Sequence, residues 1–371
     1  MTVGTDPEWG ASPWRVAVAV PAAPLPARRS VVVVGGGLTG LAAAWGLARS
    51  GIDVAVLEAA AVGDGASGRT GGIVLEETAA GPRVGVSRCV PFLARVVAEN
   101  GIACDLRLDG CDELEHRALD DAPAGAWRDG ATALVAARRV AGGSVDPGAL
   151  VAGLARAARA AGATIHERTP VTAIAGGRPL TVHAGDRAVA AEHVVLALNA
   201  YTGTLVAPPP TLRAALTFAL CTAPLDVATL AALGLDGGIP FYTADLPYLW
   251  GRPLADGRVV FGAGLAFDEG GDVRRIALAG GAVAAALAAL EARVRGLHPR
   301  LGAVEVVARW GGPIAFRRGA EPVLGAHPAL PGVVVTGAYA GHGVALAVRA
   351  GALVAAAIAA GRPLPAWGAF D

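Results

Sequence analysis

A glycine-rich turn between two apolar segments constrains this chain more than any other feature. Residues 31–34 are all valine and lead into the pattern Gly35-x-Gly37-x-x-Gly40. An alanine-rich stretch and a second apolar stretch follow, and the latter ends on Glu58. This order predicts a strand, a helix and a second parallel strand, the unit that holds dinucleotides in Rossmann-like folds.

Each residue of this unit has a mechanical task in such a fold. Gly35 makes the tight turn, Gly37 lets a pyrophosphate approach the backbone, and Gly40 lets the helix pack closely on the strand. The helix begins near Leu38 and Thr39, and its unpaired N–H groups favour an anion. Glu58 follows the second strand, where a carboxylate accepts hydrogen bonds from a ribose.

A second stretch of small residues lies directly behind the predicted ribose-binding strand. Residues 63–72 are rich in glycine, whereas an NAD-dependent dehydrogenase usually continues into another helix. We call residues 63–72 the nest, because their small side chains leave backbone N–H groups exposed. Such a segment suits a longer cofactor with a ribityl chain and a flavin ring. The candidate contacts in this nest are Ala66, Ser67, Arg69, Thr70, Gly71 and Gly72.

Composition excludes several chemistries. The 371 residues include 31 arginines and no lysine, which rules out a Schiff-base lysine, a lysine general base and a P-loop lysine. The net charge is +0, so the chain lacks the excess of positive charge that is typical of proteins that bind nucleic acid or an anionic membrane. Neither is expected as a partner. Four cysteines without a C-x-x-C pair predict a reduced, cytoplasmic setting and no metal site.

Beyond these motifs the chain resembles the FAD-dependent D-amino acid oxidase superfamily, which includes glycine oxidase, sarcosine oxidase and gamma-glutamylputrescine oxidase. The resemblance rests on the dinucleotide fingerprint followed by Gly-Ala-Ser-Gly-Arg-x-Gly-Gly, and it extends to residues 145–147, 194–201, 310–313 and 337–344. It implies FAD as cofactor. It also implies further cofactor contacts at Val171, Ala197, Asn199, Trp310, Gly337, Ala340, Gly341, His342, Gly343 and Val344.

The resemblance also implies a fold class, an α/β Rossmann-like flavin domain interleaved with an α+β substrate domain on a mostly antiparallel sheet. We expect residues 1–29 to form an extended N-terminal arm. Segments 30–84, 144–210 and 311–371 are expected to form the FAD-binding domain. Segments 85–143 and 211–310 are expected to form the substrate-binding domain.

Another glycine-rich turn lies near the C-terminus at residues 341–343, and the last helix is predicted to begin there. Its N–H groups are candidates to stabilise the negative charge of a reduced flavin. For the His342 side chain, a structural and a catalytic role both stay open. FAD is expected to be non-covalent, because no cysteine follows Cys221 and because Leu38 and Thr39 stand where some relatives attach flavin through histidine.

The substrate side gives less information. Tyr248, Trp250 and Arg252 alternate, so in a strand they share one face, which forms either a pocket wall or a half-buried sheet surface. Tyr248, Arg252 and His342 are the candidate catalytic residues. Glycine-oxidase-like relatives hold a carboxylate with an arginine where this chain has Gly312, so a plain α-amino acid substrate is in doubt.

The expected function is oxidation of a C–N bond in an amine or amino acid by hydride transfer to FAD. The imine then hydrolyses to a carbonyl product, with O2 as acceptor and H2O2 released. The missing lysine, which oxygen-activating relatives place beside the flavin, keeps a non-oxygen acceptor open. An NAD(P)-dependent Rossmann dehydrogenase and a flavin-binding subunit without turnover also stay open, and the sequence leaves the oligomeric state unknown.

Overall fold

The computed structural model describes residues 9–79, 81, 88–209, 211–269, 271–276, 281–364, 367–368 and 370. The first eight residues of the expected N-terminal arm lie outside this description, as do short pieces of the other predicted segments. The helices are α1 (Leu38–Arg49), α2 (Cys89–Glu99), α3 (Pro147–Ala160), α4 (Val227–Ala232), α5 (Ala282–Leu297) and α6 (Gly343–Ala360).

Eighteen strands are assigned within the described residues. In chain order they are β1 (Arg28–Val34), β2 (Val54–Leu57), β3 (Ile73–Leu75), β4 (Cys111–Ala118), β5 (Trp127–Asp129), β6 (Thr132–Val140), β7 (Gly142–Ser144), β8 (Thr164–His166), β9 (Val171–Ala175), β10 (Leu180–Ala184), β11 (Arg187–Leu196), β12 (Leu212–Thr222), β13 (Phe241–Thr243), β14 (Trp250–Pro253), β15 (Val259–Ala266), β16 (Val306–Arg317), β17 (Val323–Ala326) and β18 (Val333–Gly337).

The first sheet is the predicted Rossmann-like sheet. Its strand order is β17-β18-β11-β1-β2-β8, and the pairs from β18 to β8 are parallel. Residues 31–34 of β1 are buried on both faces, as expected for a central parallel strand. One face packs on α1, α3 and α6, and strands β9 and β10 extend the sheet beyond β11.

The second sheet carries the other domain. Its order is β16-β12-β15-β14-β13-β4-β6-β5, and every pair is antiparallel except the parallel pair β13–β4. Helix α5 covers one face, where Leu290, Val294 and Leu297 join the core with Phe218 and Phe261. The predicted fold class, a Rossmann-like domain interleaved with a mostly antiparallel sheet, is confirmed.

Helix α2 and strand β16 do not follow the predicted domain division. Helix α2 falls in the segment predicted for the substrate domain, yet its apolar face, which includes Leu93 and Val96, lies in the same core as α1 and α6. Its spacing of apolar residues fits a helix on either domain, so the sequence could not assign it. Strand β16 runs through the predicted boundary at 310/311 and pairs with β12 along its length.

The segment before β1 has no helix or strand from residue 10 to 27, and it docks on the glycine-rich nest. The hydroxyl of Ser12 donates to the carbonyl of Gly68 at 2.7 Å, and the indole N–H of Trp14 donates to the carbonyl of Thr70 at 2.7 Å. The Arg69 guanidinium donates to the carbonyl of Gly10 at 2.9 Å. The N-terminal segment is therefore part of the wall of this region.

Helices α1 and α6 pack at very short range. A Cβ on Gly351 would lie 2.8 Å from the backbone N of Ala43 and still closer to the carbonyl O of Thr39. A Cβ on Gly46 would lie 2.8 Å from the Cβ of Ala355. Although α6 has the length and hydropathy of a membrane-spanning helix, 56% of it is buried inside the protein. The many small residues of both helices thus serve close packing.

Substitution of Gly351 by alanine tests this contact. We expect Gly351→Ala to destabilise the protein by about 1–3 kcal/mol, because the added methyl group overpacks the α1–α6 interface. The matched control is Gly296→Ala in α5, where an added Cβ meets no atom within 4 Å. There the loss of glycine should stabilise by about 0.5–1 kcal/mol. Thermal unfolding of both variants gives the comparison, and equal shifts would contradict close packing.

Candidate active site

A single cavity of about 1020 Å³ extends from the β1–α1 turn to the second sheet. Strands of the first sheet and residues 64–67 and 69–71 of the glycine-rich nest line one part, and residues of β12, β13, β14 and β16 line the other. The N-terminal end of α6 also lines the cavity. Both sheets therefore contribute to it.

The turn between β1 and α1 has the geometry that its glycines predict. Gly35 has φ +108°, a conformation that other residues rarely adopt, and a Cβ on Gly40 would collide with the carbonyl oxygen of Gly35. A Cβ on Gly37 would lie 2.7 Å from the Ser67 hydroxyl oxygen, which accepts a hydrogen bond from the N–H of Leu38 at 3.0 Å. The turn thus presents bare backbone at the start of α1.

The carboxylate of Glu58 ties two loops together beside this turn. One oxygen accepts from the N–H of Gly36 at 2.6 Å, and the other accepts from the N–H of Ala60 at 2.9 Å. Burial raises the pKa of Glu58, and the backbone hydrogen bonds oppose that shift. Each carboxylate oxygen keeps a further lone pair, so Glu58 can still accept hydrogen bonds from a ribose.

The nest at residues 63–72 is fixed by contacts with distant segments. The buried Arg69 side chain donates to the carbonyl of Gly311 at 3.0 Å as well as to Gly10. The indole N–H of Trp310 donates back to the carbonyl of Arg69 at 2.8 Å. Arg69 and Trp310 therefore lock the nest to β16, which belongs to the second sheet.

The chain leading into α6 is held in an unusual conformation. Ala338 and Ala340 have φ +57° and +50°, which costs energy for residues with a Cβ. The Asn199 side chain accepts from the N–H of Ala338 at 2.9 Å, and the N–H of Ala340 donates to the carbonyl of Ala315 at 3.0 Å. Both sheets thus hold this turn against the cavity.

Helix α6 begins at Gly343, two residues later than the predicted start. The N–H of His342 donates to the carbonyl of Tyr339 at 2.9 Å, so it is not available to a ligand. The first N–H groups of the helix, from Gly343 and Val344, have no acceptor within α6 and line the cavity. Burial lowers the pKa of His342, which favours the neutral imidazole.

The second sheet supplies an aromatic and hydroxyl-bearing wall. Tyr242, Tyr248 and Trp250 line the cavity with Thr217 and Phe218. The Trp250 ring lies directly against Gly71 and Gly262, where an added Cβ would overlap it. This contact joins the nest to the second sheet.

Most residues predicted for the site line this one cavity. They are Gly35, Gly37, Leu38, Thr39, Glu58, Ala66, Ser67, Arg69, Thr70, Gly71, Val171, Ala197, Asn199, Trp310, Ala340, Gly341, His342, Gly343 and Val344, with Tyr248 from the catalytic set. Gly40, Gly72 and Gly337 do not line it. They lie in close backbone contacts with Gly35, Val145 and Asn199 respectively.

The predicted position of Arg252 differs from the structure. Tyr248 lies outside β14, so the three alternating residues do not share one strand face, and Arg252 is not part of the cavity lining. Its guanidinium lies 4.9 Å from the ring centre of Trp14 and packs behind Gly72. Burial lowers the pKa of Arg252 to about 10.

Several lining residues carried no clear sequence signal. Tyr339 is buried, and its hydroxyl lies 2.9 Å from the Thr39 hydroxyl and 3.0 Å from the Thr336 hydroxyl. Tyr242 follows Phe241 in a three-residue strand whose position depends on the partner strands. Alternation along so short a segment could not place Tyr242 in the cavity.

A charged cluster supports the loop that carries Tyr248. The two ring nitrogens of His116 lie 2.7 Å from Asp245 and 2.9 Å from Asp129. Arg293 makes two hydrogen bonds to Asp129 and donates to the carbonyl of Tyr248 at 2.8 Å. Burial disfavours the charged imidazole, but the bonds to both carboxylates outweigh it and raise the pKa of His116.

The chain matches known proteins over most of its length. Residues 30–357 match the family model described as FAD dependent oxidoreductase. A probable oxidoreductase, OrdL, of Rhizobium meliloti (strain 1021) is 28% identical over 373 residues, which cover 88% of this chain and 82% of the relative. The gamma-glutamylputrescine oxidoreductase of Escherichia coli (strain K12) is 28% identical over 372 residues, with the same coverages.

A solved structure shares the fold. The glycine oxidase from Geobacillus kaustophilus superposes with a TM-score of 0.71 at 21% identity. The match covers 92% of this chain and 97% of that chain. The interleaving of the two sheets is therefore shared with a protein of known structure.

The role of Glu58 can be tested by cofactor binding. We expect Glu58→Ala to weaken FAD binding by about 10- to 100-fold, because it removes charged acceptors from the ribose end and releases Gly36 and Ala60. FAD titration of the apoprotein, followed by flavin fluorescence, measures the change. The control is Glu99→Ala on α2, an exposed carboxylate paired with Arg49, and an equal loss in the control would contradict the assignment.

The charged cluster predicts a pH dependence of stability. The pKa of His116 is raised in the folded state, so its ion pairs stabilise the folded protein. This contribution to the free energy of unfolding is complete below the unfolded-state pKa of about 6.5 and is lost as pH rises through the folded-state pKa. His116→Gln should therefore lower the melting temperature most at acidic pH and less at alkaline pH.

The variant Asp245→Asn gives the control, since it removes one of the two carboxylates and should reduce the pH dependence without abolishing it. A difference between wild type and His116→Gln that stays constant with pH would refute this role of the imidazolium.

Proposed function

The chain belongs to the FAD-dependent oxidoreductase family, and from this premise we propose that it oxidises the carbon–nitrogen bond of an amine or an amino acid. The observation that carries the proposal is that one cavity is lined both by the glycine-rich turn between β1 and α1 and by an aromatic wall from the second sheet. Relatives named for amine and amino-acid oxidation support the substrate class.

The residues of the turn and the nest fit FAD. The backbone around Gly35 and Gly37 and the start of α1 would receive the pyrophosphate, and Glu58 would bind the adenosine ribose. The nest from Ala66 to Gly71 and the N-terminus of α6 would border the remaining length of the cofactor. We propose the cofactor and catalytic assignments above on this basis, with Arg252 removed from the catalytic set.

The same geometry supports the chemistry of the reaction. Bound FAD supplies a two-electron acceptor that takes a hydride from the carbon next to the substrate nitrogen. The N–H groups of Gly343 and Val344 and the dipole of α6 would stabilise negative charge that develops at the end of the helix. Apolar lining residues such as Phe218 and Ile314 exclude water, and Tyr248 and Trp250 orient the substrate.

The product side follows from the electron balance. The substrate loses two electrons and two protons and becomes an imine, which water hydrolyses to a carbonyl compound and an amine. We propose O2 as the acceptor, which takes the two electrons and two protons to give H2O2. The absence of lysine favours a second candidate, a dehydrogenase that passes the electrons to a different acceptor.

The compartment and the domain division belong to the same proposal. The four cysteines are buried and none belongs to a C-x-x-C pair, which is consistent with a reducing cytoplasm. Segments 30–84, 144–210 and 311–371 remain our assignment for FAD binding, with α2 added to them. Segments 85–143, without α2, and 211–310 remain our assignment for substrate binding, together with the rest of β16.

An anaerobic reduction screen tests the function. Purified protein loaded with FAD is mixed without oxygen with secondary amines, polyamines and D- and L-amino acids. We expect at least one amine or amino acid to bleach the flavin absorption, and peroxide to form when air is admitted. Bleaching without peroxide supports the dehydrogenase instead. A flavin that no member of the panel reduces would contradict oxidation of a C–N bond.

A further inference from the structure

The hydroxyl groups on the second-sheet wall all donate their hydrogen bonds to other groups of the protein. Tyr248 donates to the carbonyl of Gly264 at 2.6 Å. Since a phenol has one proton, the 2.9 Å contact between Tyr248 and Thr217 requires Thr217 to be the donor. Thr243 donates to the carbonyl of Asp245 at 3.1 Å. These hydroxyl groups therefore offer lone pairs and not protons to a ligand.

The Tyr242 hydroxyl also donates its hydrogen bond to a protein group, within a row of three residues on adjacent strands. In the register of the sheet, Tyr242 on β13 is opposite Glu113 on β4, and Glu113 is opposite Arg138 on β6. The Tyr242 hydroxyl donates to one Glu113 oxygen at 2.7 Å. Arg138 donates to both Glu113 oxygens, at 2.8 and 2.9 Å.

The charge on Glu113 fixes the direction of the Tyr242 hydrogen bond. The two bonds from Arg138 hold the pKa of Glu113 below its ordinary value, so the carboxylate stays ionised and can only accept. The carboxylate is 14% exposed, whereas Arg138 is 65% exposed and faces solvent. Tyr242 must therefore donate to Glu113, and its oxygen presents lone pairs to the cavity.

His342 adds a second acceptor next to Tyr242. The two ring centres are 6.4 Å apart, with the rings nearly perpendicular. The Nδ1 atom of His342 lies 3.3 Å from the carbonyl oxygen of Ala340, which places the proton of the neutral ring on Nδ1. The Nε2 atom is then an acceptor, so two neighbouring side chains of the lining offer lone pairs.

We propose that Glu113 is a positioning residue that fixes the direction of the Tyr242 hydrogen bond. The part of the cavity lined by Tyr242 and His342 then binds an N–H donor and discriminates against a carboxylate. This inference rests on the proposed function and narrows its substrate class to compounds that present an amine nitrogen to Tyr242 and His342. A carboxylate placed between the Tyr242 oxygen and the Nε2 atom of His342 would face two acceptors and find no hydrogen-bond donor on either side chain.

The arginines along the cavity are the competing site for a carboxylate. Arg274 makes two hydrogen bonds to Asp272, at 2.8 and 2.7 Å. Arg317 donates to the Thr211 hydroxyl at 3.3 Å, and Arg69 is bonded to two carbonyl groups. If one of these arginines holds a substrate carboxylate, the protein should bind a carboxylate more tightly than an amine with the same apolar group.

Binding of two matched ligands tests the inference. tert-Butylamine and pivalate have the same apolar group and differ in the polar one, and the amine has no hydrogen on the carbon next to nitrogen. It therefore binds without being oxidised. The FAD-loaded protein is titrated with each ligand, and the flavin difference spectrum gives the dissociation constants. We expect the wild type to bind the amine at least roughly tenfold more tightly than pivalate, the effect of one well-placed hydrogen bond.

The variant Glu113→Gln should change the preference. Arg138 would bind the amide oxygen, and the amide N–H would donate to Tyr242, which turns its proton toward the cavity. Amine affinity should fall roughly tenfold while pivalate affinity rises. Tyr242→Phe should weaken the amine alone. Glu115→Gln, an exposed carboxylate on the same strand that pairs with Arg117, should leave both affinities unchanged.

Several outcomes would overturn the inference. They are wild-type preference for pivalate, a wild type that binds neither ligand, and a Glu113→Gln variant that behaves like Glu115→Gln. Equal loss of both ligands in Glu113→Gln, with a lowered melting temperature, would also refute it and show that Glu113 only supports the fold. Failure of every amine to reduce FAD refutes the proposed function separately, because tert-butylamine binding requires no turnover.

Discussion

The contact between Gly40 and the carbonyl of Gly35 is the constraint on which the rest of the site depends. Only a residue without a side chain lets α1 start this close to β1, and that start brings Leu38 and Thr39 of the first turn to the cavity. Glu58 then closes the turn from the other side through Gly36. The same need for close approach recurs where Gly351 meets α1, so the small residues of the chain act as spacers between backbones.

The cavity depends on both sheets because the elements at its centre are bonded to each. Trp310 and Arg69 join β16 to the nest, and Asn199 and Ala315 hold the turn that leads into α6. Neither domain forms this site alone. Strain at Ala338 and Ala340 is tolerated because hydrogen bonds from the two sheets determine the backbone there.

The sequence predicted the parts of the site that are made by local backbone geometry. Gly35, Gly37, Glu58 and the turn before α6 are recognisable because their spacing alone encodes a strand, a turn and a helix. The wall from the second sheet could not be predicted in this way. Tyr242 reaches the cavity through the pairing of β13 with β4, strands about 130 residues apart in the chain, and Arg252 misses it because Tyr248 falls outside the strand. Helix α2 shows the same limit, since its apolar face fits either core.

The N-terminal segment has a consequence for how the chain is assembled. The segment precedes β1 in the chain, yet its partners lie in the nest around Gly68 and Thr70 and, through Arg69, on β16 at Gly311. The bonds to Gly68 and Thr70 join the segment to a nearby part of the chain, but the Arg69 side chain reaches its final position only when Gly311 on β16 is also in place. The nest therefore acquires its final shape only after β16 has been made, because Gly311 follows Arg69 by 242 residues in the chain.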